Sequence, residues 1–492
     1  MDISTLKSGT DLRGIADGEG LQLGDEEVKA AVSAFVFWLK EKTEKTGALK
    51  IALGHDSRRS AERIAAAAET AMKEAGCEVY AAGLCSTPSM FMMTKFEGTD
   101  CDGSIMITAS HHPANRNGLK FFTKSGGIDS SDLDRIIEYA AADKKVTGSS
   151  SKVMRKDYMS LYTDFLVRRA RELSGEDMPL SGLKICVDAG GGAGGFFAGR
   201  VLDVLGADTS GSQFLEPDGE FSHHIPNPEN SAAMASLSAR VVETGSDLGI
   251  IFDADVDRAA VASADGGEIN RNRLIALISA VLLSESGGGT IVTDSVTSDG
   301  LKEFITGLGG THRRFKRGYR NVINEALRLE SLGVNVPAAV ETSGHAALKE
   351  NFFLDDGAYL SLRLMLAAAK LKREGRVLTD LIKDLKQPVE CREIRIGITA
   401  KDFRQVASEV LSQLESVCRE LEKNKMCTIA TDSHEGVRVN MAMGDGFFLA
   451  RCSVHDPVIA VNVESSVVGG ADKILGFLSA FFKEYSSLDY PL

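Results

Sequence analysis

The sequence predicts a multi-domain α/β protein that ends in an α+β domain, and three observations lead there. The chain has 492 residues, more than one hydrophobic core supports, and about 150 residues per domain implies three or four domains. Up to Leu385, strand-length apolar runs alternate with helix-length amphipathic runs, which is the order of layered α/β domains. After Leu385 the pattern changes: Ile394, Ile396 and Ile398 alternate, as do Val437, Val439 and Met441, around a single amphipathic helix. Strands with helices set apart indicate α+β. The 43% hydrophobic and 25% charged fractions are those of a globular chain.

In chain order, residues 8–16, SGTDLRGIA, place Arg13 between Gly9 and Gly14 in an expected turn or hairpin. Residues 50–53 read as a strand stopped by Gly54. Ser60 then opens a helix in which Ile64, Ala68, Met72 and Ala75 share one face before Gly76 ends it. A strand at 77–82, a helix at 86–96 and a strand at 105–109 follow. The charged, Ser-rich stretch 141–156 lacks periodicity and is expected to be an exposed connection, with a domain boundary near its end.

A helix is expected at 157–173 and a strand at 183–188, leading into Gly190, Gly191, Gly192, Gly194 and Gly195. This run satisfies GxGxxG after a strand, the dinucleotide signature. Five glycines in six positions match many patterns, however, and no clear second half of a dinucleotide domain follows, so a tight strand-to-helix turn is preferred. The stretch 217–230, PDGEFSHHIPNPEN, carries three prolines and must be a shaped loop. Beyond it come a strand at 248–252, a helix at 270–284, a strand at 290–293 and a helix at 298–308. The last helices are expected at 403–421, with Phe403, Val406, Val410, Leu414, Val417 and Leu421 on its apolar face, and at 471–485; strands at 447–452 and 458–463 lie between them.

The net charge of -13 argues against nucleic acid and membrane partners, since both need a basic surface. An anionic substrate would need a local basic cluster. Eight cysteines lie scattered without a CxxC pair, which fits reduced thiols in a reducing compartment rather than a zinc ribbon or disulfide scaffold. No stretch reaches the roughly 18 apolar residues of a membrane span. The amino terminus carries neither a signal peptide nor an Arg-rich transit segment, so a cytoplasmic location is expected, with an earlier-removed organellar transit peptide left open.

Five stretches carry chemistry. Ser110, in TASHHPANRNGLK (108–120), follows the apolar run 105–109 and precedes His111, His112 and Pro113, which cannot continue a strand. A serine at the carboxyl end of a strand is placed for chemistry or for capping a turn. Asp253, Asp255 and Asp257, in FDADVDRAAV, put three carboxylates at alternate positions after a strand. Such charges repel unless a cation neutralises them, and oxygen ligands suit a hard ion such as Mg²⁺. An EF-hand reading fails, because Arg258 and Ala264 stand where that loop needs Gly and Glu. A phosphatase using the first aspartate as nucleophile fits locally, as does a solvated acidic turn.

Glu341, Ser343 and His345, in VETSGHAAL, form the third stretch: Glu and Ser at alternate positions suit sugar hydroxyls, and Gly344 permits close backbone approach. Lys316 and Arg317 in RRFKRGYRN, with Arg451, Ser453 and His455 in ARCSVHDP, supply positive and polar groups at strand ends suited to phosphate.

TASHHPANRNGLK, the aspartate loop DADVDR, ETSGH and the late loop RCSVHDP, in this order, resemble the motifs of the α-D-phosphohexomutases, the phosphoglucomutase and phosphomannomutase family. SGTDLRGIA, GHDSRRS and PDGEFSHHIPNPE resemble further family segments, so the likeness spans essentially the whole chain. The resemblance implies three similar α/β mixed-sheet domains plus a smaller α+β carboxyl-terminal domain around a central cleft. Expected boundaries are 1–156 (phosphoserine), 157–269 (metal), 270–387 (sugar) and 388–492 (phosphate).

It also implies that Ser110 carries a phosphoryl group, that Mg²⁺ is bound by Asp253, Asp255, Asp257 and a Ser110 phosphoryl oxygen, and that hexose 1-phosphate and hexose 6-phosphate interconvert, with glucose or mannose as the sugar. A hexose 1,6-bisphosphate would be both intermediate and activator, the partners small-molecule sugar phosphates, and the protein a monomer or homodimer. Lys120 and Arg13 match residues flanking the phosphoserine, and Lys120 is the expected general acid/base, with His111 as alternative. A lysine with an ordinary pKa of about 10.4 serves as acid without adjustment but as base only if that value falls. Arg258, Lys316, Arg317, Glu341, Ser343, His345, Arg451, Ser453 and His455 would bind substrate.

Two departures stand out. The family's TASHNP is TASHHP here, with His112 for Asn, and its RPSGTEP-like late loop is RCSVHDP (451–457), with Val454 for Gly and His455 for Thr. The second departure motivates a rival, a hexose 1,6-bisphosphate synthase using an external phosphoryl donor. A non-catalytic sugar-phosphate-binding regulator is a further rival, against which intact Ser110, Lys120 and the three aspartates argue.

Overall fold

Short apolar runs buried on both sides build the amino-terminal sheet. The computed structural model describes residues 1–148, 150–453 and 456–491. The chain forms two units, Met1–Val281 with Ser343–Leu381, and Leu282–Thr342 with Ile382–Leu492.

In the first unit the elements run β1 (Lys7–Ser8), β2 (Asp11–Ile15), α1 (Asp25–Thr43), β3 (Lys50–His55), α2 (Ala61–Glu74), β4 (Glu78–Leu84), α3 (Thr87–Met92), β5 (Gly103–Ile107), β6 (Arg116–Thr123), β7 (Gly126–Gly127), α4 (Ser130–Ala141) and β8 (Lys152–Arg155). The sheet order is β1-β2-β6-β5-β3-β4-β8, with β7 beside β6. Pairing is parallel among β5, β3, β4 and β8 and antiparallel elsewhere. β5, wholly buried, is an interior strand covered on both faces.

On α2, Ile64, Ala68 and Met72 are buried as expected and Ala75 half-buried. α3 starts on a reciprocal cap between Ser86 and Ser89 but ends at Met92, short of the expected 96. The Thr94 and Thr99 hydroxyls capture the Phe91 and Met93 carbonyls there, which diverts them from further helical bonding. SGTDLRGIA is a hairpin: β1 pairs with β2 across Gly9 (φ 65), although Gly14 lies inside β2 opposite Asn117 rather than in the turn. The stretch 141–156 is not wholly a connection, because β8 within it pairs in parallel with β4. It is an edge strand with half-buried and exposed residues, so it lacks the apolar alternation that marks a strand.

Next come α5 (Met159–Ser174), β9 (Ile185–Asp188), α6 (Ser231–Thr244), β10 (Leu248–Phe252), β11 (Ala259–Ser263) and β12 (Glu268–Ile269). They form a second mixed sheet ordered β12-β11-β10-β9, parallel only between β9 and β10. The glycine run leaves β9 in a tight turn, followed by a 3-10 turn (Ala193–Gly195) and a π-helical turn (Ala198–Leu202). The sheet then turns antiparallel, unlike a dinucleotide fold.

α7 (Arg271–Ser286) leads the chain into the second unit, where β13 (Gly289–Thr293) pairs in parallel with β14 (Gly310–Arg314) and β15 (Ala338–Val340), and α8 (Asp299–Gly307) and α9 (Tyr319–Ser331) make the connections. Back in the first unit, β16 (Ala346–Leu348) and β17 (Leu354–Asp355) form a hairpin followed by α10 (Gly357–Arg373).

The carboxyl-terminal part of the second unit comprises β18 (Glu390–Ile398), α11 (Phe403–Lys423), β19 (Cys427–Ile429), β20 (Val437–Met441), β21 (Gly446–Cys452), β22 (Val458–Ser465), α12 (Gly470–Phe482) and β23 (Leu488–Asp489). Its sheet, ordered β19-β20-β21-β22-β18-β23, is antiparallel throughout. Ile396, Ile398, Val437, Val439 and Met441 point into a core shared with Val410 and Leu414 of α11 and Ile474 of α12. Val417, expected on the buried face of α11, is exposed at that face's margin.

All eight cysteines are free. Burial pushes the Cys77, Cys85, Cys101, Cys186 and Cys418 thiols up to about 12, which leaves them unreactive. Among the described residues, no helix is long and apolar enough to cross a membrane.

Candidate active site

Three turns of the first unit converge on Ser110. β5 delivers Ala109 and Ser110 past its end, and Ser110 adopts φ 52, the left-handed region that costs a non-glycine residue about 1–2 kcal/mol. That turn buries Ser110 completely and aims its hydroxyl at Asp253, to whose Oδ2 it donates at 2.7 Å. His111 Nδ1 lies 3.3 Å from Ser110 Oγ, and its ring stacks on His112 at 5.0 Å between centroids. The Arg258 charge, then burial, hold His111 far below the ordinary histidine range. Burial and Arg13 hold His112 at about 3. Both imidazoles are therefore neutral at pH 7.

The aspartates occupy the turn between β10 and β11, which pair Phe252 with Ala259. Val256 inside it has φ 68, a strained value for a β-branched residue. Asp253 and Asp255 are fully buried and Asp257 nearly so. Burial first, then repulsion from Asp257 and Asp255, raises the Asp253 carboxyl well above the usual range. Lys120, delivered by β6 beside β5, donates to Asp255 Oδ2 at 2.8 Å and to Asp257 Oδ2. Burial alone would depress its pKa, but Asp255 and Asp257 outweigh it and raise Lys120 well above the ordinary lysine value. Arg13 pairs with Asp11 at 2.7 Å on β2, opposite Gly118 of β6. A Cβ on Gly118 would stand 2.3 Å from Leu12 O, so the NGLK stretch needs glycine where these strands cross.

Arg258 and His345 join the same cluster. Arg258 Nε donates to His345 Nε2 at 2.9 Å, and the two residues form an antiparallel bridge. Gly344 (φ 94) makes this possible: a Cβ there would lie 2.7 Å from Ala259 O. Burial and Arg258 hold His345 well below its ordinary value. Ser343 Oγ is buried without a hydrogen-bond partner among the described residues.

The remaining expected residues lie in the second unit. Glu341 accepts from Gly318 N at 2.6 Å, and Lys316 is exposed just after β14. Glu435 draws several groups together: its Oε1 accepts from Arg317 N at 3.1 Å and from the Ser295 hydroxyl, and Arg451 Nε lies 3.9 Å from that oxygen. Burial, with Arg317 adding, lowers the Arg451 pKa despite Glu435; as a guanidinium it remains charged. Ser453 N donates to Val458 O at 2.9 Å and Ser453 Oγ accepts from Asp456 N at 3.2 Å. His455 lies outside the described residues.

The donor set suits a hard cation. Ligand atoms of Asp253, Asp255 and Asp257 lie within 4.8 Å of one another, and Asp255 Oδ1 and Asp257 Oδ1 are buried with no hydrogen-bond donor among the described residues. Three clustered carboxylates, two of them with an unused oxygen, call for a divalent ion with oxygen ligands.

Models of the phosphoglucomutase/phosphomannomutase family match the chain over 5–147 (alpha/beta/alpha domain I), 160–266 (domain II) and 270–389 (domain III). The chain belongs to this family. A phosphoglucomutase of Neisseria gonorrhoeae is 28% identical over 460 residues, 92% of each chain. A phosphomannomutase/phosphoglucomutase of Pseudomonas syringae pv. tomato is 27% identical over 449 residues, 90% of this chain and 89% of the relative. The crystal structure of a family protein from Burkholderia thailandensis, 24% identical, superposes over 100% of both chains with a TM-score of 0.83, so the two share a fold. This family fold is the one expected: three α/β domains with mixed sheets and a further domain built on an antiparallel sheet.

Several site residues of this family member were not expected. Thr87 gives its N–H to Asp255 O at 2.8 Å and its hydroxyl to Asp255 Oδ2. Asp56, Arg58 and Thr108 support the Ser110 turn from below, and Glu435 holds Arg451 and the Arg317 main chain. In SRRS nothing local separates Arg58, whose side chain is 0% exposed, from Arg59 at 64%; only tertiary packing does.

Proposed function

We propose that this protein is a Mg²⁺-dependent phosphohexomutase that interconverts hexose 1-phosphate and hexose 6-phosphate of glucose, mannose or both. Phosphoserine at Ser110 and a hexose 1,6-bisphosphate are its intermediates, and the bisphosphate is also its activator. The observation that carries the reading is the Ser110 hydroxyl, buried at the end of β5 and 2.7 Å from the Asp253 carboxylate, inside a cluster with two more aspartates and Lys120.

In the forward half, a hexose hydroxyl attacks the phosphoryl group on Ser110: the bond from phosphorus to Ser110 Oγ breaks, a bond to the sugar oxygen forms, and the hydroxyl proton passes by way of the neutral His111, 3.3 Å from Ser110 Oγ, to the freed serine oxygen. In the return half, the bisphosphate has turned round and its other phosphoryl group transfers to Ser110, while the freed sugar oxygen takes up a proton. Lys120 Nζ, kept an ammonium by Asp255 and Asp257, holds a proton to give to that oxygen. Mg²⁺, when held by Asp253, Asp255, Asp257 and the phosphoserine, neutralises charge on the phosphoryl oxygens.

Arg13 faces the same cluster with positive charge, and the neutral His345 orients Arg258. Ser343 Oγ, buried and unmatched, suits a sugar hydroxyl, as does Glu341. Lys316, Arg317, Arg451 and Ser453 supply donors for the distal phosphate. Domain limits of 1–156, 157–269, 270–387 and 388–492, a cytoplasmic location and a monomer or homodimer complete the proposal.

The test is conversion of glucose 1-phosphate with and without glucose 1,6-bisphosphate. Catalytic formation of glucose 6-phosphate that rises with bisphosphate supports the mutase. Accumulation of bisphosphate from an external donor, without glucose 6-phosphate, replaces it with the synthase. Protein whose intact mass never gains a phosphoryl group from the bisphosphate sinks both.

A further inference from the structure

GHDSRRS, between β3 and α2, gives two neighbouring arginines opposite fates. Arg59 stays at the surface, paired with Glu220 and Asp17. Arg58 is driven inside, and every N–H of its guanidinium finds an acceptor. Nη1 donates to Pro113 O at 2.6 Å and Arg116 O at 3.1 Å. Nη2 donates to His112 O at 2.7 Å and to Ser110 O. Nε donates to Asp56 Oδ2 at 3.1 Å. Only arginine offers five donors in one plane.

The same network reaches the other side of the Ser110 peptide. Asp56 Oδ2 accepts from Thr108 Oγ1 at 2.7 Å, and Thr108 Oγ1 in turn accepts from Ser110 N at 2.8 Å. The Ser110 carbonyl and N–H are thus both held through one buried ion pair, Asp56–Arg58, with neither side chain exposed. Phe221 of the loop 217–230 covers the guanidinium, its ring 5.0 Å from the Arg58 carbon, and Glu220 ties that loop to Arg59.

A buried ion pair is a poor source of stability, because apolar residues of similar volume often do as well. What apolar packing cannot do is fix four carbonyl directions. Here all four belong to the turn between Ser110 and Arg116, and the turn's first residue sits at φ 52, a conformation that persists only where its surroundings over-determine it.

We propose that Arg58 is a positioning residue of the reaction: its guanidinium, clamping the carbonyls of Ser110, His112, Pro113 and Arg116, holds the Ser110 hydroxyl in the left-handed turn that faces Asp253. The inference rests on the reading of Ser110 as the phosphoryl carrier. Arg58 touches no reacting atom; it acts through the main chain of the turn.

The test uses whole-chain R58K and R58A with Mg²⁺ and glucose 1,6-bisphosphate. Lysine keeps the charge but brings three donors with no planar fork, so it too loses the clamp. Both variants are expected to lose kcat on the order of 100-fold, with KM within about threefold of wild type, and to take up phosphate at Ser110 more slowly by intact mass. Millimolar guanidinium ion restores part of the R58A rate and none of that of S110A. If R58A does not accumulate folded, R58K carries the test.

R58K turning over and gaining phosphate at the wild-type rate overturns the proposal. So does a loss that tracks thermal unfolding, with kcat per folded molecule unchanged. Wild-type protein that never gains phosphate at Ser110 overturns the phosphoryl-carrier reading instead, so the two failures are told apart.

Discussion

Arg258 Nε donates to His345 Nε2 at 2.9 Å, which makes that nitrogen the acceptor and puts the imidazole proton on Nδ1, toward Asp355 at 3.6 Å. The residue after the aspartate turn thereby sets the tautomer of the histidine in ETSGH. Two motifs 87 residues apart in sequence form one wall of the cluster around Ser110.

That wall depends on Gly344. With φ 94 and a Cβ position 2.7 Å from Ala259 O, Gly344→Ala must strain or shift the turn, at about 1–3 kcal/mol. The expected result is a lower urea midpoint with a raised KM for hexose phosphate. An unchanged midpoint would show that the turn has room the geometry denies it.

Ser110→Ala removes the phosphoryl acceptor without a change of bulk. The variant should fold with wild-type circular dichroism, gain no mass on incubation with glucose 1,6-bisphosphate, and lose at least about 10⁴-fold in kcat, as for other lost nucleophiles. Residual turnover near wild type would remove Ser110 from the mechanism.

Chelation should abolish turnover, and added Mg²⁺ should restore it. Loss of an outer-shell partner alone costs a metal site about 10–100-fold in affinity, so Asp255→Asn should raise the Mg²⁺ concentration for half-maximal activity by more than that. Calorimetric titration of the unphosphorylated protein checks the same change without turnover.

Asp356 gives a pH signature of stability. Burial raises its carboxyl from 3.8 to about 6, against donors from Tyr162, Tyr359 N and Asn351. A folded pKa above the unfolded one means the contribution is fully present below the unfolded value of 3.8 and is lost as pH rises through about 6. Asp356→Asn removes this titration. The Asn351 amide can flip to accept from the new side chain, since its Oδ1 has no partner now. Urea unfolding at about pH 4.5 and pH 7 should show the wild type losing about 2 kcal/mol relative to the variant, at 1.36 kcal/mol per pKa unit. Equal slopes would refute the shift.

Arg451→Ala should raise KM for hexose 6-phosphate by roughly 10-fold or more, the equivalent of one charge-assisted hydrogen bond. Phosphate uptake at Ser110 from the bisphosphate at saturation should change far less. A kcat effect with KM untouched would place Arg451 outside substrate binding.

Elements with a strong pattern were legible. α2 keeps Ile64, Ala68 and Met72 on its buried face, and the carboxyl-terminal strands bury alternate residues such as Val437, Val439 and Met441. Helices buried all round left no pattern: α10 is buried from Gly357 through Met365, so no polar face marks its period. α1 packs against α2 on one side and α4 on another, with the same effect. β8 was hidden for the opposite reason, as its edge residues stay half-exposed.

By itself, the sequence marked out the candidate groups: a serine past a strand, three alternating aspartates, a lysine and the ETSGH run are local patterns set by residue type and spacing. Tertiary structure alone decided what surrounds them. Arg58 and Arg59 are the same residue side by side, yet one is enclosed by four carbonyls and the other pairs at the surface. That difference comes from which backbone folds over each guanidinium, and contacts formed across about fifty residues of chain leave no trace in the seven residues of GHDSRRS.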